Sequence, residues 1–263
     1  MAGTIRHRIR VPLTHLLMTA LAAMFLQQTF ASVGKVLPAV IAPLVIAVAG
    51  MFLERVFLRR LAGLDPLYGF LFTFGLTLVI QDGMRLRFGV QGQPYSAPAE
   101  LSGTVLLGAV SYPTYRLFVV AFCLVASIAV WFIIERTRLG MAVRAATERA
   151  DLTRALGVDV DRWITPMFGF GLGLAALAGV LAAPMRNVSP LMGSELIILT
   201  FAVVVIGGMG SIAGAIVAGF LVGVLSSVGA IFDPAVEGIV VFALMAVLLL
   251  VRPSGLFGSI ETR

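Results

Sequence analysis

Charged side chains are scarce in this sequence of 263 residues. Asp, Glu, Lys and Arg together make up 12% of it, whereas hydrophobic residues make up 60%, and the mean hydropathy is +1.05. A water-soluble domain of this length needs far more charge to cover its surface. The shortage of charge therefore excludes a soluble globular protein and predicts an integral membrane protein.

Cysteine, histidine and lysine are nearly absent as well. One cysteine, Cys123, excludes an internal disulfide, and together with two histidines it cannot form a zinc site. The one lysine, Lys35, follows Gly34 but precedes Val36, so the phosphate-binding GK[ST] pattern is missing. No nucleophile elbow or HExxH motif is present. We therefore expect no enzyme, no cofactor and no metal, and any ATP that drives this protein must be bound by another chain.

Apolar runs long enough to cross a bilayer recur along the chain. The first could be a signal peptide, although its length favours an uncleaved helix. The run 195–232 could be two crossings or one broken helix, because its GGMG turn carries no charge. We predict an all-α, polytopic transmembrane helical bundle that forms a single domain over residues 1–263. Its membrane segments number about eight, at residues 11–33, 36–53, 67–81, 114–134, 163–185, 196–207, 212–232 and 238–251.

Charge is also missing from the middle of these predicted spans, since Arg116, Glu195 and Glu237 fall at span ends. A proton-coupled carrier needs an intramembrane carboxylate or histidine, whereas sodium coupling can use backbone carbonyls. Hydroxyl groups inside the spans could hydrogen-bond a passing solute, or they could bond their own helix backbone. The predicted substrate-path residues are Thr73, Thr77 and Thr200.

The longest polar segment occupies residues 135–162 and holds six arginines and five acidic residues. A charge at the centre of a membrane helix costs about 2.5–3.5 kcal/mol, so this segment must lie in water. Thr147 can cap a short helix that ends at Gly157, a residue suited to a left-handed stop. We call residues 135–162 the coupling segment. It is either an ordinary connection between two helices or a docking element for a soluble partner.

Arginines are spread along the chain and give it a formal net charge of +6. They do not form one basic face, so we expect no nucleic-acid partner. Lys and Arg are enriched in cytoplasmic loops of membrane proteins. If both termini are cytoplasmic, 14 of the 19 Lys and Arg residues lie there: three at the N-terminus, three in a basic turn at 54–60, six in the coupling segment and two in the tail. We therefore predict this orientation.

Small residues repeat every four positions in the later spans. Such spacing lets helix backbones approach closely in lipid, although a glycine can also line a substrate path. The pattern predicts a compact bundle and contact with a second membrane subunit. The residues predicted to pack helices are Gly210, Gly214, Gly219 and Gly223, with Gly169 and Gly173 spaced in the same way earlier in the chain.

Several motifs resemble the branched-chain amino-acid permease family of ABC importers. RTRLGMAVRA and ALGVDVDR, at residues 136–145 and 155–162, resemble its cytoplasmic loop. Further similar motifs, in family order, are LERVFLRRL (53–61), DPLYGFLFTFGLTLVIQ (65–81), FAVVVIGGMGSIAGAIVAGFLVG (201–223) and RPSGLFG (252–258). The resemblance implies a permease subunit in a bacterial inner membrane. Its implied partners are ATP-binding cassette subunits, a second permease subunit, homologous or identical, and an extracytoplasmic solute-binding protein.

In that family the loop around Arg144, Ala145 and Gly157 sits on the ATPase. The resemblance therefore implies docking by Leu156 and Gly157, with Arg144 as an electrostatic contact. Members usually begin with an additional membrane helix and an Asn-Phe-Ala-His-Gly turn, neither of which is found here. We therefore expect a start that is truncated or divergent.

Three functions are consistent with these observations. The first is the membrane subunit of an ABC importer for branched-chain amino acids or similar small polar solutes. The second is an ion-coupled secondary carrier or channel that works without an ATPase. The third is a membrane scaffold subunit that transports nothing.

Overall fold

A computed structural model of the chain describes residues 36–61, 63–98, 101–107, 110–137, 140–141, 144–145, 160–186, 188–208, 210–252 and 254–258. Helices dominate this part of the chain, as the predicted helical bundle requires. Its elements are, in order, α1 (Val36–Leu53), a π-helical turn (Glu54–Leu58), α2 (Arg59–Leu61), α3 (Pro66–Phe88), β1 (Thr104–Leu107), β2 (Val110–Pro113), α4 (Thr114–Arg136), α5 (Val160–Ala182), a 3-10 turn (Ala183–Met185), α6 (Met192–Gly207), α7 (Ile212–Phe232) and α8 (Pro234–Val251).

The chain is a multi-pass membrane protein. In lipid a peptide must satisfy its backbone N–H and C=O groups internally, which is why the apolar runs are helices. Five described stretches are long and apolar enough to cross a bilayer: Val40–Leu61, Leu67–Phe88, Thr114–Arg136, Arg162–Met185 and Ile212–Ile231. Two shorter apolar helices are Met192–Gly207 and Gly238–Val251. These seven correspond to seven of the eight predicted spans, and the first predicted span, residues 11–33, lies outside the described residues.

The basic turn predicted at residues 54–60 is wrong, because the chain stays helical there. A π-helical turn, Glu54–Leu58, continues α1 directly into α2, and the Arg59 N–H donates to the Glu54 carbonyl five residues earlier. The apolar span predicted to end at Leu53 therefore continues as one helical body to Leu61.

The span predicted to end at Gln81 is also longer than expected, since α3 continues to Phe88. Asp65 caps its start by accepting a hydrogen bond from the Leu67 N–H at 2.9 Å. Beyond the apolar part, Asp82 and Arg85 form an ion pair at 3.2 Å within the helix. Gly89, at φ +82, then ends the helix. Polar residues therefore extend this helix past the apolar run, and the polar connection to α4 starts at Gly89.

That connection adds a small β-hairpin to the otherwise helical fold. β1 and β2 pair antiparallel, with Thr104 opposite Pro113 and Leu107 opposite Val110. Elsewhere in the connection, Gln93 forms a two-way backbone bridge with Val188, with N–O distances of 2.9 and 3.0 Å.

The described chain divides into two compact units. Unit 1 comprises Met1–Tyr115 and Ile164–Val188, and unit 2 comprises Arg116–Trp163 and Ser189–Arg263. In unit 1, α5 lies against α1, and the Tyr115 hydroxyl donates to the Leu181 carbonyl at 2.9 Å. One end of unit 1 thus holds the Gln93 bridge and the Tyr115 hydrogen bond. Gln93 and Tyr115 lie before α4 and in its first turn, and Leu181 and Val188 lie at the end of α5 and shortly after it.

Unit 2 is built around α6, α7 and α8. Its buried core consists of Ala202 and Ile206 from α6, Ala218 and Val222 from α7, and Val241 from α8. Within residues 195–232, α6 and α7 are separate helices joined by a turn. With 16 residues, α6 is about 24 Å long, which is shorter than a hydrocarbon core of about 30 Å.

Candidate functional site

The coupling segment connects α4 to α5, and two short pieces of it, residues 140–141 and 144–145, are described as helical. Two of the four predicted coupling residues, Arg144 and Ala145, belong to these pieces. Leu156 and Gly157 lie outside the described residues, so their docking role stays a prediction.

A tight turn joins α4 to the coupling segment. The Thr137 hydroxyl donates to the Ile133 carbonyl and accepts from the Gly140 N–H, whose nitrogen lies 3.3 Å away. Gly140 is buried, and a Cβ there would overlap the Ile134 backbone. Only glycine fits this position without a shift of the chain. The start of the coupling segment is therefore held against the last turns of α4.

An ion pair then fixes the next helical turn to α4. The Arg144 guanidinium contacts the Glu135 carboxylate, and its Nη2 donates to the Glu135 carbonyl at 3.3 Å. The two side chains are 40% and 47% exposed. A pair this exposed contributes about 0–1 kcal/mol to stability. Arg144 is therefore held only weakly by Glu135 and stays accessible to a partner, as its predicted electrostatic role needs.

A second feature, at one end of unit 2, brings together five glycines that we call the glycine junction: Gly207, Gly208, Gly214, Gly255 and Gly258. Two of them have backbone conformations that L side chains rarely adopt, at φ +97 for Gly208 and φ +80 for Gly255. A Cβ on Gly255 would lie 2.5 Å from the Gly208 Cα, and one on Gly207 would lie 2.6 Å from the Ala215 nitrogen. The backbones of α6, α7 and the tail therefore meet with no space for side chains.

Through this junction the tail caps the end of α6. The N–H of Leu256 donates to the Ile206 carbonyl at 2.9 Å, and that of Phe257 donates to the Gly207 carbonyl at 3.1 Å. The last carbonyls of a helix have no partner within the helix, so these bonds satisfy two of them. Leu256 also packs against the unit 2 core. Residues 254–258 of the tail motif are therefore bound to residues 206–208 at the end of α6.

The four predicted helix-packing glycines have different environments. Gly210 lies in the turn before α7 at φ +88, and a Cβ added to it would meet no atom within 4 Å, so it shapes a turn rather than a helix surface. Gly214 contacts the Gly207 carbonyl. A Cβ on Gly219 would lie 3.8 Å from the Val203 side chain, and Gly223 faces open space. Within the described chain, Gly214 makes the closest of these contacts.

The three predicted substrate-path threonines bond their own helices. Thr73 donates to the carbonyls of Gly69 and Phe70 at 3.1 and 3.0 Å, and Thr77 donates to the Thr73 carbonyl at 2.8 Å. Thr200 donates to the Leu196 carbonyl at 2.8 Å. All three residues are exposed, Thr73 and Thr77 one turn apart on α3 of unit 1 and Thr200 on α6 of unit 2. A role in a substrate path stays a prediction.

Sequence reasoning missed Glu54. The sequence places this residue in a basic turn, yet it is 5% exposed and lies inside the apolar span Val40–Leu61. The Thr165 hydroxyl of α5 donates to its carboxylate. The sequence does offer one signal, an acidic residue directly after an apolar run. Three arginines follow within six residues, so the acid is easily taken for part of a basic turn. Intramembrane charges mark functional positions more often than ordinary surface charges do.

Among the described residues, no three His, Cys, Asp or Glu side chains are grouped closely enough to hold a metal ion.

Comparison with known proteins gives consistent matches. A family model described as the permease component of the branched-chain amino acid transport system matches residues 13–249. The high-affinity branched-chain amino acid transport system permease protein BraD of Pseudomonas aeruginosa is 32% identical over 221 residues, which cover 81% of this chain and 71% of that protein. The corresponding LivH protein of Escherichia coli is 29% identical over 219 residues, with 81% and 70% covered. No solved structure matches the chain significantly.

Proposed function

Because this chain belongs to the permease family of branched-chain amino acid transport systems, we propose that it is the membrane subunit of an ABC importer that is driven by separate ATPase subunits. The observation that carries the proposal is the family match over residues 13–249. The permease BraD is named for branched-chain amino acid transport, and we extend this solute class, or similar small polar solutes, to the present chain.

In the proposed mechanism, ATP-driven closure of the partner subunits pushes on the coupling segment, and the bundle switches from outward-open to inward-open access. The contacts at the start of the segment support this role. The Thr137 hydrogen bonds and the close packing of Gly140 hold its start against α4, so that a displacement of the segment reaches a membrane helix directly. A loosely tethered loop would absorb the displacement instead.

We further propose a bacterial inner membrane location with both termini in the cytoplasm. Contacts within unit 1 support the order of crossings. The Gln93 bridge to Val188 joins two connections that the proposed topology places outside, while Glu54 and Thr165 lie near two span ends that it places inside. In unit 2 the tail and the turn after α6 share the glycine junction, so they lie on the same side of the membrane.

The proposed partners are ATP-binding cassette subunits, a second permease subunit and an extracytoplasmic solute-binding protein. Support for a second permease comes from α7, where Gly223 is exposed and faces open space within this chain. A small residue on a lipid-facing helix surface allows another helix to approach closely.

The test is uptake by proteoliposomes that contain this chain with the ATP-binding subunits and solute-binding protein that co-purify from gently solubilised membranes. We expect leucine uptake to require ATP on the face of the vesicle that carries the ATPase, and to stop when the partner ATPase cannot hydrolyse ATP. Uptake by this chain alone, driven by an ion gradient, would contradict the proposal.

Glu54 gives a specific reason to keep the ion-coupled carrier as a second candidate. A lack of intramembrane charge argues against proton coupling, and Glu54 removes that argument because it is a buried carboxylate within a span. A proton ionophore separates the two functions, since it abolishes uptake by a proton-coupled carrier and leaves ATP-driven uptake intact.

A further inference from the structure

Glu54 occupies an unusual position in the backbone as well as in the membrane. It begins the π-helical turn Glu54–Leu58 that joins α1 to α2. It is the one buried polar or charged side chain among the residues whose burial is described. Single π-helical turns inside helices occur frequently at functional sites. A buried ion also stabilises a fold less than apolar residues of similar volume, so the fold alone does not require a carboxylate here.

The partner of Glu54 lies on α5, and the two helices touch closely. A Cβ on Gly169 of α5 would lie 2.8 Å from the Ala47 carbonyl of α1, and one on Gly173 would lie 3.2 Å from the Pro43 carbonyl. The Thr165 hydrogen bond to Glu54 continues this contact by one further helical turn. The two helices are therefore in contact from Gly173 to Thr165.

Thr165 lies in the second turn of α5, three residues after Arg162, the last residue of the coupling segment. The next residue, Pro166, cannot donate the usual helix hydrogen bond to the Arg162 carbonyl. The start of α5 therefore lacks the helix hydrogen bond that residue 166 would donate. The hydrogen bond from Thr165 to Glu54 ties this part of α5 to the π-helical turn that continues α1.

We propose that Glu54 is a positioning residue for transport. Acting through Thr165, it fixes the start of α5 to the π-helical turn that continues α1, so that a displacement of the coupling segment moves α1 and α5 together. This inference rests on the proposed ABC importer function. It adds a residue distant in sequence from the segment itself to the machinery that converts ATP hydrolysis into transport.

The test measures solute molecules taken up per ATP hydrolysed in the full reconstituted complex. Thr165→Val keeps the side-chain volume and removes the donor, and we expect it to lower this ratio by roughly tenfold, about the effect of losing one hydrogen bond to a charged group. Thr165→Ser is the matched control, since it keeps the hydroxyl, and we expect it to stay within about twofold of the unaltered complex. Glu54→Gln retains an acceptor oxygen and should lie between the two.

A second variant covers the case in which Thr165→Val leaves Glu54 unpaired and prevents folding. The double variant Glu54→Leu with Thr165→Val removes the hydrogen bond without leaving a buried charge. The inference is supported if this double variant assembles in normal amounts and takes up fewer solute molecules per ATP hydrolysed. An unchanged ratio overturns it, and so does failure of both variants to assemble, because that result assigns the pair a purely structural role.

The unaltered complex separates this inference from the proposed function. If it shows no ATP-dependent uptake, the importer function fails and the inference fails with it. If it couples normally while Thr165→Val couples equally well, only the role of Glu54 is rejected.

Discussion

Replacing Gly255 with alanine tests the glycine junction in a controlled way. The substitution places a Cβ 2.5 Å from the Gly208 Cα and 2.9 Å from the Val205 carbonyl oxygen, where backbone atoms cannot easily move. It also forces alanine to adopt φ +80. The junction must then open, and the hydrogen bonds of the tail to the end of α6 are weakened.

The magnitude of this effect follows from its parts. A left-handed backbone costs a non-glycine residue about 1–2 kcal/mol. Overpacking against fixed atoms costs about 1–3 kcal/mol, and each weakened hydrogen bond costs about 1 kcal/mol. With both tail hydrogen bonds weakened, we expect Gly255→Ala to destabilise the chain by about 4–7 kcal/mol in total.

Gly210→Ala is the matched control. Gly210 also has a positive φ, +88, but a Cβ there would meet no atom within 4 Å. Its cost should be limited to the backbone term of about 1–2 kcal/mol. The assay is equilibrium unfolding of the purified chain in mixed micelles, followed by loss of helical circular dichroism. Equal destabilisation by the two substitutions would refute the steric account of the junction.

Three further predictions concern the helix contact and the coupling segment. Gly169→Ala should destabilise the chain by about 1–3 kcal/mol in the same unfolding assay. Gly171 faces open space, so Gly171→Ala is the control and should be neutral or slightly stabilising. Equal effects of the two substitutions would contradict the close α1–α5 contact. Arg144→Ala should change the free energy of unfolding by less than about 1 kcal/mol, because its ion pair with Glu135 is exposed. The same substitution should lower solute-stimulated ATPase activity. A large loss of stability would contradict this prediction and give the ion pair a structural role. Gly157→Trp should abolish solute-stimulated ATPase activity in the assembled complex, and unchanged stimulation would remove Gly157 from the docking surface.

The helical membrane character of the chain could be predicted from the sequence because it depends on local composition. A long apolar run must form a helix in lipid whatever it contacts. The hairpin at residues 104–113 also has a local signal, two runs of strand-forming residues around a Gly-Ala pair, but the surrounding polar connection obscures it. Element ends were less predictable, since the polar residues after Gln81 extend α3 through an ion pair and a glycine stop.

The contacts that define the candidate site depend on residues far apart in the chain. Glu54 is buried, and its carboxylate accepts a hydrogen bond from Thr165, 111 residues later. The tail is recognisable as a separate motif, but its hydrogen bonds to Ile206 and Gly207 join residues far apart in sequence. The glycine period is visible, yet Gly210 is removed from the helix because Ser211 caps α7 by accepting from the Gly214 N–H at 3.0 Å. Periodicity alone does not show where a helix begins.

The central claim is that the coupling segment lies in the cytoplasm and binds an ATPase subunit. It is tested most directly by thiol labelling of Leu156→Cys in a chain that also carries Cys123→Ser. We predict that a membrane-impermeant maleimide does not label this thiol in intact cells. It should label the thiol in inside-out vesicles stripped of ATP-binding subunits, and it should no longer label the thiol once those subunits are bound again. Labelling in intact cells, or labelling that is unaffected by the ATP-binding subunits, would contradict the claim.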